Sequence, residues 1–478
     1  MATILNVQAP AKPSSFGWAI AVTGIAQFMA GLDNLVVTMA LPVIRERLHA
    51  SLGALEWTVN AYTLTFAVLL LAGAAIGDRF GRRRTFLFGI GLFTVASAVS
   101  ALAPNVSVLI AARALQGAGG ALIVPLSLTL LSAAVEPARR NVALGIWGAI
   151  GGLAVAVGPL VGGAVIQGFS WQWIFWLNVP IGLALLPLAR VRLNESHGPA
   201  RTLDLRGLAL VSTGLLGVVF GLVRGGAAGW GSDEVVGSML AGALLLVAFV
   251  VAERRSAAPM LPLRLFSRRE FSAVNGVALF MSFGMFGSIF LLAQFLQTVQ
   301  HYSPLMAGVR TLPWTAMPIL IAPLAGGLVG RVGGRVLVGL GLSLQAIGLA
   351  WLAFVTTPTT PYLDFVIPFV LSGIGMSLFF VPVASLVLAS VGKADEGIAS
   401  GANNAIRELG GVLGVSVLAA VFAGSGGYAS AASFTAGLIP AVAVGAGVVA
   451  LGALLTLALP GRAAASRELV EVASSQAA

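Results

Sequence analysis

The sequence contains no cysteine, which excludes disulfides, thiol catalysis and cysteine-based metal sites. Histidine is nearly as scarce. The three present (His49, His197, His301) fall in no spacing that a metal would use. No GxxxxGK[ST] phosphate loop occurs, so ATP is not expected to supply energy. No GxSxG elbow, zinc motif or catalytic carboxylate pair stands out, and no enzymatic activity or cofactor is expected. Charge is sparse too: Asp, Glu, Lys and Arg make up only 9% of 478 residues. A soluble chain of this length would need far more charge to cover its surface.

What fills the space is apolar. Hydrophobic residues make up 58% of the chain and the mean hydropathy is +0.98. Runs of about twenty apolar residues match the ~30 Å hydrocarbon core of a bilayer. Fourteen such spans are read near 17–41, 55–77, 85–103, 107–131, 141–166, 171–189, 206–224, 235–252, 271–298, 304–329, 336–356, 363–388, 398–422 and 433–459. The expected fold class is therefore an all-α integral membrane protein in contact with the lipid bilayer. Sixty Gly and 22 Pro fit such a bundle, where small residues let helices approach and neighbours satisfy freed backbone groups. The first apolar run is too long for a secretory signal, contains Asp33 and leads straight into another span.

The net charge of +10 invites a nucleic-acid reading, but in such a chain surplus arginine sets topology, and no nucleic-acid partner is expected. Twenty-one of the 27 Lys and Arg fall on the N-terminus, the even-numbered loops and the C-terminus, including Lys12, Arg201, Lys393, Arg462 and Arg467. Only Arg45, Arg47 and Arg224 fall on the other side, while Arg113, Arg310 and Arg407 lie inside spans. This asymmetry predicts both termini in the cytoplasm and an even number of spans.

The chain also repeats itself. "GDRFGR" (77–82) echoes "GRVGGR" (330–335), "QGAGG" (116–120) echoes "SGIGM" (372–376), and "GIWGAIGGLAVAVG" (145–158) echoes "GANNAIRELGGVLG" (401–414). Offsets of 253, 256 and 256 in one order align spans 1–6 with spans 9–14 and leave spans 7 and 8 as an insertion. The expected organisation is a cytoplasmic segment over 1–16 and a six-helix bundle over 17–189. Two inserted helices with their loops follow over 190–270, then a second six-helix bundle over 271–460 and a disordered tail over 461–478.

At this point the motifs are recognisable. "GAAIGDRFGRRRTF" between spans 2 and 3, "LDNLVVTMALP" (32–42), "RALQGAGG" (113–120), "AVGPLVGG" (156–163), "WQWIFWLNVPIG" (171–182) and "SPLMAGVRTLP" (303–313) together resemble the major facilitator superfamily. Within it they are similar to the fourteen-span drug:proton antiporters, over about residues 17 to 460. The resemblance implies a proton-coupled antiporter exporting lipophilic, cationic drugs or dyes across the cytoplasmic membrane by alternating access. The proton is the only coupling ion implied, the partner is a small amphipathic substrate, and the working unit is expected to be a monomer. Two alternatives stay open: a dedicated exporter of one metabolite or antibiotic, and a proton-driven importer. The Gly-Pro pattern of span 5, which the resemblance ties to exporters, argues against import.

Individual residues carry expected roles. Asp33 lies deep in span 1, where a carboxylate costs on the order of 2.5–3.5 kcal/mol, and is expected to bind protons, a cationic substrate or both. Arg113 in span 4 is the matching cation, expected to pair with Asp33 or another polar group and to tune the proton site. Arg407 and Glu408 stand in the second half where Gly151 and Gly152 stand in the first. Adjacent helical positions diverge by about 100°, so separate partners are expected for the two. Glu408 is a candidate second proton or cation site, with Asn403 and Asn404 one turn earlier. Trp57, Tyr62, Phe283, Phe286, Phe290, Gln294, Trp314, Met281, Met285 and Met317 are candidate substrate contacts, since aromatic and thioether surfaces adapt to many ligands. Trp171, Trp173 and Trp176 are expected in an interfacial belt. Gly158, Pro159 and Gly162 are expected to form a seal between the halves. Asp78, Arg79, Gly81 and Arg82 are expected to form a cytoplasmic latch that bridges the halves when the transporter faces outward.

Overall fold

A computed structural model describes residues 16–198, 204–256, 259–392 and 395–459. Lys12, Arg201, Lys393, Arg462, Arg467 and the expected terminal segments lie outside the described residues. Sixteen α-helices follow one another among the described residues: α1 (Phe16–Arg47), α2 (Leu52–Phe80), α3 (Arg82–Ala101), α4 (Val106–Ala134), α5 (Pro137–Gly168), α6 (Trp173–Trp176), α7 (Asn178–Arg192), α8 (Leu205–Ala228), α9 (Asp233–Arg255), α10 (Arg269–Thr298), α11 (Pro304–Thr315), α12 (Met317–Val332), α13 (Gly334–Val355), α14 (Tyr362–Ala389), α15 (Glu396–Ser425) and α16 (Ala431–Leu455). No strand occurs among the described residues.

Among the described residues thirteen segments are long and apolar enough to cross a bilayer, with α6–α7 and α11–α12 each forming one. The fourteenth is α2, which bends by 53° between Leu70 and Ala72. This is a multi-pass membrane protein. Helix starts follow local chemistry. Ser51, Asn105, Asp204, Ser303 and Ser430 each accept a backbone N–H of the helix they precede, satisfying a donor that would otherwise be orphaned.

The sequence echoes return as packing. A side chain at Gly117 of α4 would collide with the Tyr62 carbonyl of α2, and one at Gly373 of α14 with the Trp314 carbonyl of α11. At Gly119 it would begin 2.8 Å from the Phe93 nitrogen, and at Gly375 2.8 Å from the Gln345 nitrogen. Glycine lets these helix pairs close to backbone contact. The turn glycines also correspond: Gly81 (φ 104°) joins α2 to α3 and Gly333 (φ 93°) joins α12 to α13. Both angles disfavour any residue with a Cβ.

Helices α1–α7 pack chiefly on one another, as do α10–α16, except that α11 packs chiefly on α5 across the two groups. The inserted α8 lies astride the two groups: Leu215, Val219 and Val223 pack with Leu64 and Val68 of α2 and Val412 of α15. Its partner α9 packs mainly on α8.

Successive spans run in opposite directions, which defines a terminus end and a far end of the bundle. The two groups meet in the far half. Gly163 of α5 abuts the Pro304 carbonyl, and Gly308 of α11 abuts the Pro159 carbonyl. Hydrogen bonds join Asn60 to Ser416 (2.9 Å), Gln297 to the Met39 carbonyl (3.0 Å) and Thr315 to the Ala156 carbonyl (3.2 Å). The Arg45 guanidinium lies 3.7 Å from the Tyr428 ring centroid. Toward the terminus end the contacts thin out. Nothing lies within 4 Å of where side chains would begin at Gly145, Gly148 and Gly152 of α5 or at Gly327 and Gly330 of α12.

Candidate functional site

Asp33 sits midway along α1 and is 2% exposed. Arg113 of α4, fully buried, forms an ion pair with one of its oxygens. The other oxygen accepts from Gln116 at 3.2 Å and from Asn178 at 2.7 Å. Arg113 also donates to the Thr58 carbonyl at 3.2 Å and to Gln116 at 3.2 Å. Gln116 in turn donates to Ser97 at 2.7 Å. Tyr62 lays its ring 4.3 Å from the guanidinium and donates its hydroxyl to the Ala30 carbonyl at 3.1 Å. Five spans thus converge on one carboxylate. Hydrogen bonds from neighbouring spans hold the buried charge pair, although the Arg113 Nη2 is buried without a hydrogen-bond partner among the described residues.

The sequence reading gave the Asp33–Arg113 pairing as one option and missed the other two ligands. Gln116 stands one helical turn after Arg113, so spacing could have found it. Asn178 lies at the start of α7, and only the tertiary fold brings it in. The same enclosure changes the reading of Asp33 as a substrate contact, because Asp33 lines neither of the two cavities described next.

The first cavity, about 20 Å³, lies between the helix groups and is lined by Asn34, Thr38, Asn60, Thr63, Phe286 and Phe290 among others. The second, about 90 Å³, lies between α14 and α15 and includes Phe379, Phe380, Asn403, Asn404 and Arg407. Of the expected substrate contacts, Phe286, Phe290, Asn403 and Asn404 line these cavities. The others are placed elsewhere. Trp57 packs into the cluster that holds α8. Tyr62 caps Arg113, and Phe283 lies beneath Gly414. Gln294 accepts from Tyr428 near the far end. Trp314 is buried against Phe369, with ring centroids 5.9 Å apart. Met281 and Met285 are core residues, and Met317 abuts Gly373.

Arg407 and Glu408 do not find separate partners. They face each other at 3.6 Å (Nη2 to Oε1), because both side chains are long enough to fold back across the angle between neighbouring positions. The second oxygen of Glu408 is buried without a partner. Among the tryptophans, Trp173 is 46% exposed, but Trp171 is 4% exposed and packs edge-on against Phe175 at 6.2 Å, in the core instead of a belt. Of the expected seal, Gly158 and Gly162 face Leu35 and Val36 of α1, while the Pro159 carbonyl faces α11.

The charged loop between α2 and α3 is held by its own neighbourhood. Asp78 pairs with Arg82 at 2.8 Å. The Arg79 guanidinium lies 5.4 Å from the Phe80 ring centroid. Glu195, beyond α7, accepts the backbone N–H groups of Arg83 (2.9 Å) and Arg84 (3.2 Å), placing a carboxylate on the N-terminus of α3. Among the described residues no hydrogen bond or ion pair joins this loop to α10–α16, so the expected bridge is not made in this conformation.

Known proteins resemble this chain closely. The family model described as Major Facilitator Superfamily matches residues 23–415 and again 273–473. A protein of Streptomyces glaucescens described as tetracenomycin C resistance and export protein is 33% identical over 401 residues, 84% of this chain and 74% of that one. Multidrug resistance protein Stp of Mycobacterium tuberculosis is 35% identical over 403 residues, 84% of this chain and 75% of that one. Among solved structures, a POT family transporter in complex with 5-aminolevulinic acid superposes with a TM-score of 0.69 at 14% identity, covering 94% of this chain and 96% of that one. A mutant form of the nucleoside transporter NupG gives 0.65 at 11%, covering 93% and 99%. These two share the fold.

Proposed function

The chain belongs to the Major Facilitator Superfamily, and from that premise we propose that it is a proton-coupled antiporter exporting lipophilic, aromatic small molecules across the cytoplasmic membrane by alternating access. The observation that carries the proposal is the enclosed Asp33–Arg113 pair with Gln116 and Asn178 as its remaining ligands. A carboxylate buried in a membrane bundle is costly and marks a proton or ion pathway. Names of relatives, resistance and export proteins among them, support export over uptake. Arginine asymmetry supports cytoplasmic termini, which makes the terminus end the inner one. The conformation then faces inward, with the far end closed by α5 against α11 and the Asp78 loop parted from the second half.

In the proposed cycle a proton reaches Asp33 from outside, loosens its hold on Arg113 and favours return to the inward-facing state. Proton release inside restores the pair as substrate loads. The driving force is the pH gradient plus the membrane potential, worth ~2.3 kcal/mol per charge per 100 mV. A cationic preference resting on Asp33 gains no support from the geometry, since its oxygens are taken and it lines neither cavity. Export of one compound is the second reading, favoured by relatives named for single compounds, such as a probable actinorhodin transporter of Streptomyces coelicolor.

Inverted membrane vesicles test the proposal. Respiration acidifies their lumen, and addition of an exported dye should release protons from it. The panel is ethidium (cationic), Nile red (neutral) and fluorescein (anionic). Proton release with at least one dye, lost in Asp33→Asn, is expected. Dye accumulation in the vesicles without proton release contradicts antiport.

A further inference from the structure

We propose that the cavity between α14 and α15 receives the anionic group of an aromatic substrate, held by Arg407 with the amides of Asn403 and Asn404. The proposal rests on the exporter reading and specifies its substrate class. The cavity has two unlike walls. Phe379, Phe380 and Val383 of α14 supply an apolar side, the two phenyl rings 5.3 Å apart and inclined at 74°. Asn403, Asn404 and Arg407 of α15 supply a polar side. No acidic residue lines this cavity or the smaller central one, and Arg407 is the one charged residue in either lining.

Two arginines inside the bundle make the contrast plain. Arg113 is fully buried and donates to Thr58, Asp33 and Gln116. The Arg407 side chain is 28% exposed, donates no hydrogen bond among the described residues, and approaches Glu408 no nearer than 3.6 Å. A guanidinium offers five donors in a planar fork that fits the two oxygens of a carboxylate in pairs. Here most of the fork is unspent and faces a cavity. Beneath it lies Phe380, whose ring centroid is 5.4 Å away, so one surface presents charge beside an aromatic platform. Asn403 donates one amide N–H to Asn275 at 3.1 Å, leaving its second N–H and the Asn404 amide N–H groups as further donors. The cavity runs from the central Arg407 toward Leu388 and Ser400, near the terminus-end tips of α14 and α15. The loops at that end carry most of the arginines, and a positive field there concentrates anions. Glu408 acts as the built-in competitor that a stronger, two-pronged anion displaces.

Fluorescence anisotropy of fluorescein with the purified chain in lipid nanodiscs tests this. Arg407→Gln should weaken binding by roughly tenfold or more, the loss of a charged hydrogen-bonded contact. Arg407→Lys should keep part of the affinity, and Glu408→Gln should tighten binding several-fold by freeing the guanidinium. The thermal unfolding midpoint of Arg407→Gln in the same nanodiscs should stay within a few degrees of the parent, which shows that this variant is folded. Equal fluorescein affinity in wild type and Arg407→Gln, or no gain of affinity in Glu408→Gln, overturns the proposal. The exporter reading fails separately: vesicles that move no dye, from a chain that binds fluorescein through Arg407, would contradict export and leave the anion site standing.

Discussion

Gly308 of α11 lies directly against the Pro159 carbonyl of α5, so the two helix groups touch backbone to backbone at the far end. No side chain fits between them. Gly308→Val should therefore hold the far end apart and cut transport roughly tenfold or more, as misplaced small-residue contacts do when they gate a cycle. The absence of native cysteine makes the measurement direct. A single cysteine at Asn60, on the other seam between the helix groups where α2 meets α15, should be labelled by a membrane-impermeant maleimide faster in Gly308→Val than in the parent.

The ligands of Asp33 should differ in weight. Removing Arg113 leaves a buried carboxylate uncompensated, which costs about 3–5 kcal/mol. Asn178→Ala removes one hydrogen bond to a charged group, about 1.5–3 kcal/mol. Thermal unfolding of the purified variants should rank Arg113→Ala as the more damaging. Asn178→Ala should retain transport with an altered dependence on external pH.

Gly81 is held at φ 104° with the Glu195 carboxylate 3.0 Å from where a side chain would begin. Gly81→Ala should destabilise the chain by roughly 1–2 kcal/mol from the backbone alone. Glu195→Gln should weaken the start of α3 by about 0.3–1 kcal/mol, the worth of a carboxylate at a helix N-terminus. A larger loss for Glu195→Gln than for Gly81→Ala, read by chemical or thermal unfolding, would contradict this assignment.

Tyr428, in the loop after α15, gives a pH test. Burial pushes its phenol above the usual value near 10; Arg45 opposes that shift and Glu56 adds to it. A group whose pKa is higher in the folded state stabilises below its unfolded value and loses that contribution as pH rises. Stability should thus fall as pH climbs above about 10, and Tyr428→Phe should flatten the fall. The same variant should lose about 0.5–1.5 kcal/mol at neutral pH with the bond to Gln294.

Much of the fold was legible because membrane spans and small-residue packing are written locally. Apolar length marks a span, and the paired glycines Gly117 and Gly373 mark the same close crossing in each half. Arg113 was legible as a partner of Asp33 because an arginine that deep requires one. The rest is tertiary. Asn178 reaches Asp33 from 145 positions away, and no periodicity points to it. Gly308 looks like any other glycine until α5 is laid beside it. Trp171 reads as a belt residue from its neighbours, yet the turn before α6 carries it inward. Helical angles alone separate Arg407 from Glu408, because they take no account of the reach of long side chains.

The central claim, proton-driven export through Asp33, is tested most directly in proteoliposomes holding the purified chain and a dye that it moves. An imposed pH gradient should drive the dye against its concentration gradient with wild type. Asp33→Asn should bind the dye and exchange it across the membrane, but should not accumulate it under the gradient. Gradient-driven accumulation by Asp33→Asn equal to that of wild type would contradict the account.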